Sequence, residues 1–182
     1  METKVNPKLP IPWGENPESV NNMHIWTIKD WKKNLQDGIP RRTGLRFRYD
    51  REVHPEVKRA CSQFAIWLRT QYYFPLRVVV YVKGTKTIRA KDGDRVVGIF
   101  FEPFSYLDEP YIRIATGDYE ELKSDLGNDN ALASILLSLA HELTHYYQWI
   151  NNIQLTSIGR ERQATRYARY IMDEYALTRE HP

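Results

Sequence analysis

The chain has 182 residues, of which 42% are hydrophobic, and its formal net charge is only +3. This length suggests one domain, or one domain with an appendage, and the apolar content is enough to form a buried core. The basic residues are spread out and form no Lys/Arg block of the kind found in nucleic-acid-binding tails. The single cysteine, Cys61, excludes an internal disulfide, and its apolar helical setting predicts a buried, inert thiol.

Residues 1–44 are predicted to form an N-terminal arm that is rich in proline near its start. One short helix is expected within it, from Thr27 to Gln36, and Gly38 can end that helix. No apolar run approaches the ~20 residues needed to span a bilayer, and no signal-peptide pattern is visible. We therefore expect a cytoplasmic protein without a membrane partner.

Residues 45–182 are predicted to form the folded domain. Apolar spacing and turn residues predict a helix over 55–73, strands over 76–82, 96–102 and 111–116, and helices over 131–151 and 161–177. Asn130 is expected to cap the first of the last two helices, and the segment 156–159 to bend the chain between them. This order predicts an α+β fold in which helices pack on a sheet of three strands, or on a larger mixed sheet.

The motif HELTH, from His141 to His145, lies within the long predicted helix. Residues four apart on an α-helix lie ~40° apart and one turn along. Both imidazoles can therefore reach one ion at the ~2.0–2.1 Å length of a Zn–N bond. Glu142 projects ~100° further round, where it can take a proton from a metal-bound water. The motif predicts a zinc site with Glu142 as the catalytic base, and the alternative is two histidines on a solvated polar face.

A catalytic zinc site also needs a third protein ligand and an open position. The three other histidines do not follow the motif at a short, defined distance; they are His24, His54 and His181. Carboxylates of the last predicted helix are better candidates, namely Glu161, Asp173, Glu174 and Glu180. Glu161 heads a stripe of small residues, where an unpaired carboxylate is unfavourable. We predict Glu161 as the third ligand and keep Glu174 in reserve. The alternative is that Glu161 is a first-turn acid favoured by the helix dipole.

HELTH followed by the run Glu161-Arg162-Gln163-Ala164 resembles the minimal gluzincin zinc metallopeptidases, in particular their ImmA/IrrE-like and SprT-like groups, over roughly residues 57–177. The resemblance implies a zincin-like core in which His141, His145 and Glu161 bind Zn²⁺ and Glu142 is the general base. It also implies an edge strand that pairs with an extended substrate. Residues 96–101 match that strand best, with Gly98 permitting close approach of another backbone.

These observations predict a zinc-dependent peptidase that hydrolyses a peptide bond of a protein substrate. The group that stabilises the oxyanion is not fixed by the sequence, and its candidates are Arg166, Tyr146 and Tyr167. The alternative is a regulatory module that has a zincin-like fold and little or no peptidase activity. Such a module would bind nucleic acid or protein through the basic segment 41–51. A further hypothesis is that the segment 13–26 lies in the cleft as a latch. The sequence does not determine the oligomeric state.

Overall fold

The computed structural model describes residues 24–182 of the chain. Within this range the helices and strands are, in chain order, α1 (Trp31–Asn34), β1 (Leu45–Tyr49), α2 (Pro55–Gln71), β2 (Val78–Lys83), β3 (Ile88–Arg89), β4 (Arg95–Val96), β5 (Gly98–Phe101), β6 (Tyr111–Ala115), α3 (Tyr119–Leu126), α4 (Asn128–Ile150) and α5 (Ser157–Ala176). The predicted α+β class is confirmed.

Four strands form one mixed sheet in the order β1-β2-β6-β5. The β1–β2 and β2–β6 pairs are parallel, whereas β5 runs antiparallel to β6. Strand β5 is therefore the edge strand on one side of the sheet. Strands β3 and β4 form a separate two-stranded ribbon, whose turn includes residues 91–94.

One face of the four-stranded sheet carries the hydrophobic core. Side chains alternate between the two faces along each strand, and the inward set includes Leu45, Val78, Val80 and Ile112, all fully buried or nearly so. Helices α2 and α4 contact the sheet, while α3 and α5 pack against α4. The helix α4 thus lies between the sheet and α5, so its side chains can meet both.

The last two helices begin at other residues than predicted. Asn130 does not cap α4: the helix starts at Asn128 after Gly127, and the Asn130 side chain donates a hydrogen bond to the Leu126 carbonyl. Helix α5 starts four residues earlier than predicted, at Ser157. The bend between the helices falls over residues 151–156, because 157–159 are helical.

The start of α5 is fixed by a side-chain cap. The hydroxyl group of Thr156 accepts a hydrogen bond from the Gly159 amide, which is one of the amides that a helix leaves without a partner. Glu161 consequently lies in the second turn of α5. The alternative interpretation of Glu161 as a first-turn acid at the helix dipole therefore does not apply.

Part of the predicted N-terminal arm belongs to the core. Ile25, Trp26 and Leu35 are buried within the same hydrophobic cluster as α2, α4 and the sheet. The indole Nε1 of Trp26 donates to the hydroxyl of Thr144 at 3.1 Å, and its ring stacks on Tyr147. The short helix predicted over 27–36 is shorter in the structure, where α1 spans Trp31–Asn34. The domain boundary after residue 44 stays a prediction.

The latch hypothesis concerned residues 13–26, of which 13–23 lie outside the described residues. His24 packs against the rings of Tyr167 and Tyr170 on α5 and near Tyr72. It does not line the cavity beside the HELTH motif. For His24 and Trp26 the hypothesis is therefore wrong, because both side chains are held by aromatic packing elsewhere. No helix in the described part of the chain is both long enough and apolar enough to cross a membrane.

Candidate metal centre

Three ligand atoms from α4 and α5 converge on one point. The Nε2 atoms of His141 and His145 lie 3.2 Å apart. The Glu161 carboxylate places Oε2 at 3.2 Å from Nε2 of His141 and Oε1 at 3.3 Å from Nε2 of His145. Among the described residues, these three form the group of His, Cys, Asp and Glu side chains that could hold a metal ion. The structure thus brings together the three predicted ligands.

The separations fit a tetrahedral zinc ion. With bonds of about 2.0–2.2 Å to nitrogen and oxygen ligands, two ligand atoms of a tetrahedral site lie about 3.3–3.6 Å apart. Observed values of 3.2–3.3 Å fall close to this range. Two imidazoles and one carboxylate also form a donor set that catalytic zinc sites use. The residues present therefore fit the ion that the motif implies.

An ordinary histidine–glutamate ion pair explains this arrangement less well. Burial lowers the pKa of His141 and the neighbouring imidazole of His145 lowers it further, and together they outweigh the Glu161 carboxylate, which raises it. The neutral imidazole that this favours is the form that binds a metal ion. Glu161 contacts the imidazoles from an exposed position, since 64% of its side-chain surface is accessible to solvent. Its small neighbours Ala164 and Ala168 are buried, whereas Glu161 at the head of their stripe is not.

Gln148 orients one of the two imidazoles. Its Oε1 lies 2.8 Å from Nδ1 of His145, while its Nε2 donates to the carbonyl of Arg160 and to Oε1 of Gln163. Because Nε2 has two acceptors, the amide orientation is fixed and Oε1 must accept from the Nδ1–H of His145. This tautomer leaves the lone pair of Nε2 pointing at the ligand group. Sequence reasoning missed this role of Gln148, although its position three residues after His145 was a possible signal.

Glu142 lies beside the ligand group and is 9% exposed. Burial raises the pKa of its carboxyl group to about 8, with the charge of Glu161 adding to the effect, while a hydrogen bond from the backbone of Phe100 acts in the opposite direction. A cation at the ligand group would favour the ionised form. The side chain is thus held in a fixed place from which it can exchange a proton with a molecule bound at the centre.

Strand β5 approaches Glu142 closely at Gly98. A Cβ atom at this position would lie 3.0 Å from Oε1 of Glu142 and 3.0 Å from Cδ1 of Ile114. The sequence prediction assigned Gly98 to close approach of a substrate backbone. In the structure, the absent side chain makes room for Glu142 between the edge strand and α4. The close approach of a substrate backbone stays a prediction.

The centre opens into a cavity of about 450 Å³. Its walls come from β5, from α4 and from the start of α5, and it includes all three predicted ligands and Glu142. Arg160 also lines it and is paired with Glu102 at 2.8 Å. A second cavity of about 570 Å³ adjoins the first beyond Gly98 and shares His141 and Glu142 with it. The centre is therefore reachable from a groove that runs along the edge strand.

The other residues considered as the third metal ligand have partners elsewhere in the structure. His54 caps α2 and pairs with Glu120, and His181 pairs with Asp129. The reserve ligand Glu174 accepts hydrogen bonds from the hydroxyl groups of two tyrosines, Tyr72 and Tyr170. The structure brings neither these histidines nor Glu174 to the ligand group.

None of the three candidates for oxyanion stabilisation lines the cavity at the centre. Tyr146 is fully buried and hydrogen-bonded to the Leu76 carbonyl, Tyr167 packs on His24, and Arg166 is exposed. Arg160 is a cationic side chain that does line the cavity. Sequence reasoning missed it, since it lies between the bend predicted over 156–159 and the helix predicted to start at 161.

No protein-family model, curated protein or solved structure matches this chain. The site must therefore be interpreted from its own geometry.

Proposed function

We propose that this chain is a zinc-dependent peptidase with a zincin-like core, which hydrolyses a peptide bond of a protein substrate. The observation that carries the proposal is the convergence of His141, His145 and Glu161 at tetrahedral separations, next to the buried carboxyl group of Glu142. A structural zinc site would be closed by a fourth protein ligand. Here three ligands border an open cavity, which is the arrangement of a catalytic site.

Zn²⁺ at this group would act as a Lewis acid toward a carbonyl oxygen and would lower the pKa of a water molecule at its open position. With the ion bound, the carboxylate of Glu142 would accept a proton from the attacking water and would pass it on to the leaving amine. Gln148 holds the imidazole of His145 in the tautomer that presents a lone pair. Arg160 supplies a cationic group at the cavity wall.

The edge of β5 supports an extended peptide as substrate. Among residues 24–182 this strand pairs with β6 on one side and with no strand on the other, so its other side offers backbone groups to an added strand. Strand β5 lines the first cavity with Gly98, Ile99 and Phe100. The second cavity is lined by Gly98 and the residues before it, Arg95, Val96 and Val97. A peptide that pairs with β5 would run past the metal centre with its backbone at a fixed distance from it. Its side chains would alternate between the cleft and the solvent.

Zinc content and cleavage of an unfolded protein pool test the proposal together. Wild-type protein should retain about one zinc per chain and cleave the pool, as one catalytic site requires. Glu142→Gln should retain zinc and lose cleavage, because it removes the base and leaves the ligands. Glu161→Ala should lose both, whereas the matched carboxylate variant Glu174→Gln should keep its zinc.

Equal cleavage by wild-type protein and Glu142→Gln would refute the mechanism. Failure of the wild-type protein to retain any divalent metal would refute the metal centre itself. A zinc-loaded wild-type protein that cleaves nothing in the pool would favour the alternative of a regulatory module with a zincin-like fold.

A further inference from the structure

The outward face of the four-stranded sheet is separate from the core. Its large apolar and aromatic residues do not belong to the core cluster; they are Val79, Tyr81, Ile99, Phe101 and Tyr111. They alternate along their strands with residues that do belong to it, such as Val80 and Ile112. The helices of the described chain that contribute to this cluster therefore pack on the opposite face.

The outward face is basic. Arg46 and Arg48 project from β1 and Arg113 from β6, and the outward positions of all four strands carry no aspartate or glutamate. None of these three arginines takes part in an ion pair with another residue of the range 24–182. Two carboxylates near the sheet ends pair with other residues. Glu109 pairs with Arg42 and Arg77, and Asp50 pairs with Lys83. The face thus has three guanidinium groups without a counter-charge from the described chain.

Aromatic rings lie between these guanidinium groups. Phe101 and Tyr111 stack with ring centroids 4.4 Å apart, and Tyr81 meets Tyr111 edge-on at 6.0 Å. The guanidinium carbon of Arg113 lies 5.1 Å from the Phe101 centroid and 5.4 Å from that of Tyr111. Lys91, from the turn between β3 and β4, approaches Phe101 at 5.9 Å. The rings and charges form one surface across four strands and a turn.

We propose that this face binds single-stranded nucleic acid. Arginines attract the phosphate backbone, and half-buried rings on a sheet provide flat surfaces on which unpaired bases stack. An acidic polypeptide would use the charges but would gain little from the rings. A duplex hides its bases from stacking on these rings. The inference goes beyond the proposed peptidase and does not depend on it.

The test measures binding of the full chain to a labelled oligothymidylate of about 12 nucleotides, within the ~4–16-nucleotide footprint of small platforms. Fluorescence anisotropy over a range of salt concentrations gives the affinity and its salt slope. Arg46→Gln combined with Arg48→Gln should weaken binding and reduce the slope of log K against log salt by about 1.4, at about 0.7 per charge removed. The matched double variant, Arg162→Gln with Arg166→Gln, removes the same charge from exposed positions of α5 and should leave affinity and slope unchanged.

A stacking variant separates base recognition from charge. Tyr81→Ala should weaken binding by about 5-fold or more while the salt slope stays the same, and thermal unfolding should verify that each variant remains folded. Absence of oligonucleotide binding at low salt would overturn the proposal. So would tighter binding of the duplex, or equal binding of polyglutamate together with no effect of Tyr81→Ala, since either result would assign the face to another partner. Glu142→Gln should bind the oligonucleotide like the wild-type protein, so that loss of peptidase activity is distinguishable from loss of this surface.

Discussion

Replacing Gln148 by leucine tests whether the hydrogen bond behind His145 orients a metal ligand. The substitution keeps a side chain of similar volume in a position that is 1% exposed. It removes the acceptor that lies 2.8 Å from Nδ1 of His145 and the donor to Arg160 and Gln163. The ring of His145 would then be free to adopt the other tautomer or to rotate.

The expected loss of zinc affinity is about 10–100-fold, the usual effect of removing the partner of a metal-bound histidine. This corresponds to about 1.4–2.7 kcal/mol. The free energy of unfolding of the metal-free protein should also fall, by about 1–3 kcal/mol, because buried groups lose their hydrogen bonds. Competition with a chromophoric chelator gives the zinc affinity, and denaturant unfolding in the presence of chelator gives the stability.

Gln163→Leu is the matched control. It removes one acceptor of the Gln148 amide and leaves the hydrogen bond between Gln148 and His145 in place, so zinc affinity should stay near that of the wild-type protein. Gln148→Glu restores an acceptor behind the imidazole, and its zinc affinity should exceed that of Gln148→Leu. A folded Gln148→Leu protein with wild-type zinc affinity would show that the hydrogen bond has no part in metal binding.

Further predictions concern the edge strand, the core and the effect of zinc. Gly98→Ala should reduce peptide cleavage more than zinc retention, because its Cβ would meet Glu142 and Ile114 at 3.0 Å; unchanged cleavage would contradict this. Trp26→Ala should lower the free energy of unfolding by about 3–5 kcal/mol in urea titrations, since the ring is 2% exposed. Cys61 should react with a thiol reagent far more slowly in native than in urea-unfolded protein, because burial raises its pKa to about 12; equal rates would show that the site opens. Free zinc at about 100 times its Kd should stabilise the fold by about 2.7 kcal/mol, and a chelator should reverse the shift in Tm.

Local patterns were sufficient to predict the elements that carry the centre. The helix period places His141 and His145 on one face wherever the helix lies. The bounds of α2, β2 and β6 are close to the predicted ones because each segment has a strong period or a continuous apolar run. Glu161 was selected from four carboxylates by its small neighbours, of which Ala164 and Ala168 are buried.

Other features depend on residues that are distant in the chain. Strand β1 was not predicted. Its alternating arginines can be interpreted as one face of a strand only when Phe47 is known to lie beside Val80 in the sheet. Helix α5 starts before the predicted residue because Thr156 caps it. The sequence prediction had instead used Gly159 as a turn signal. Gly98 makes room for Glu142 only because the edge strand lies over α4.

The sequence by itself determined the α+β class, the pair of imidazoles four residues apart and the carboxyl group between them, because these follow from the periods of single helices and strands. Only the tertiary structure decided that Glu161 reaches the two imidazoles, that Gln148 orients one of them, and that arginines of β1 share a face with aromatic rings of β2, β5 and β6. Each of these arrangements joins elements far apart along the chain, and their relative position is set by packing across the core rather than by any local pattern.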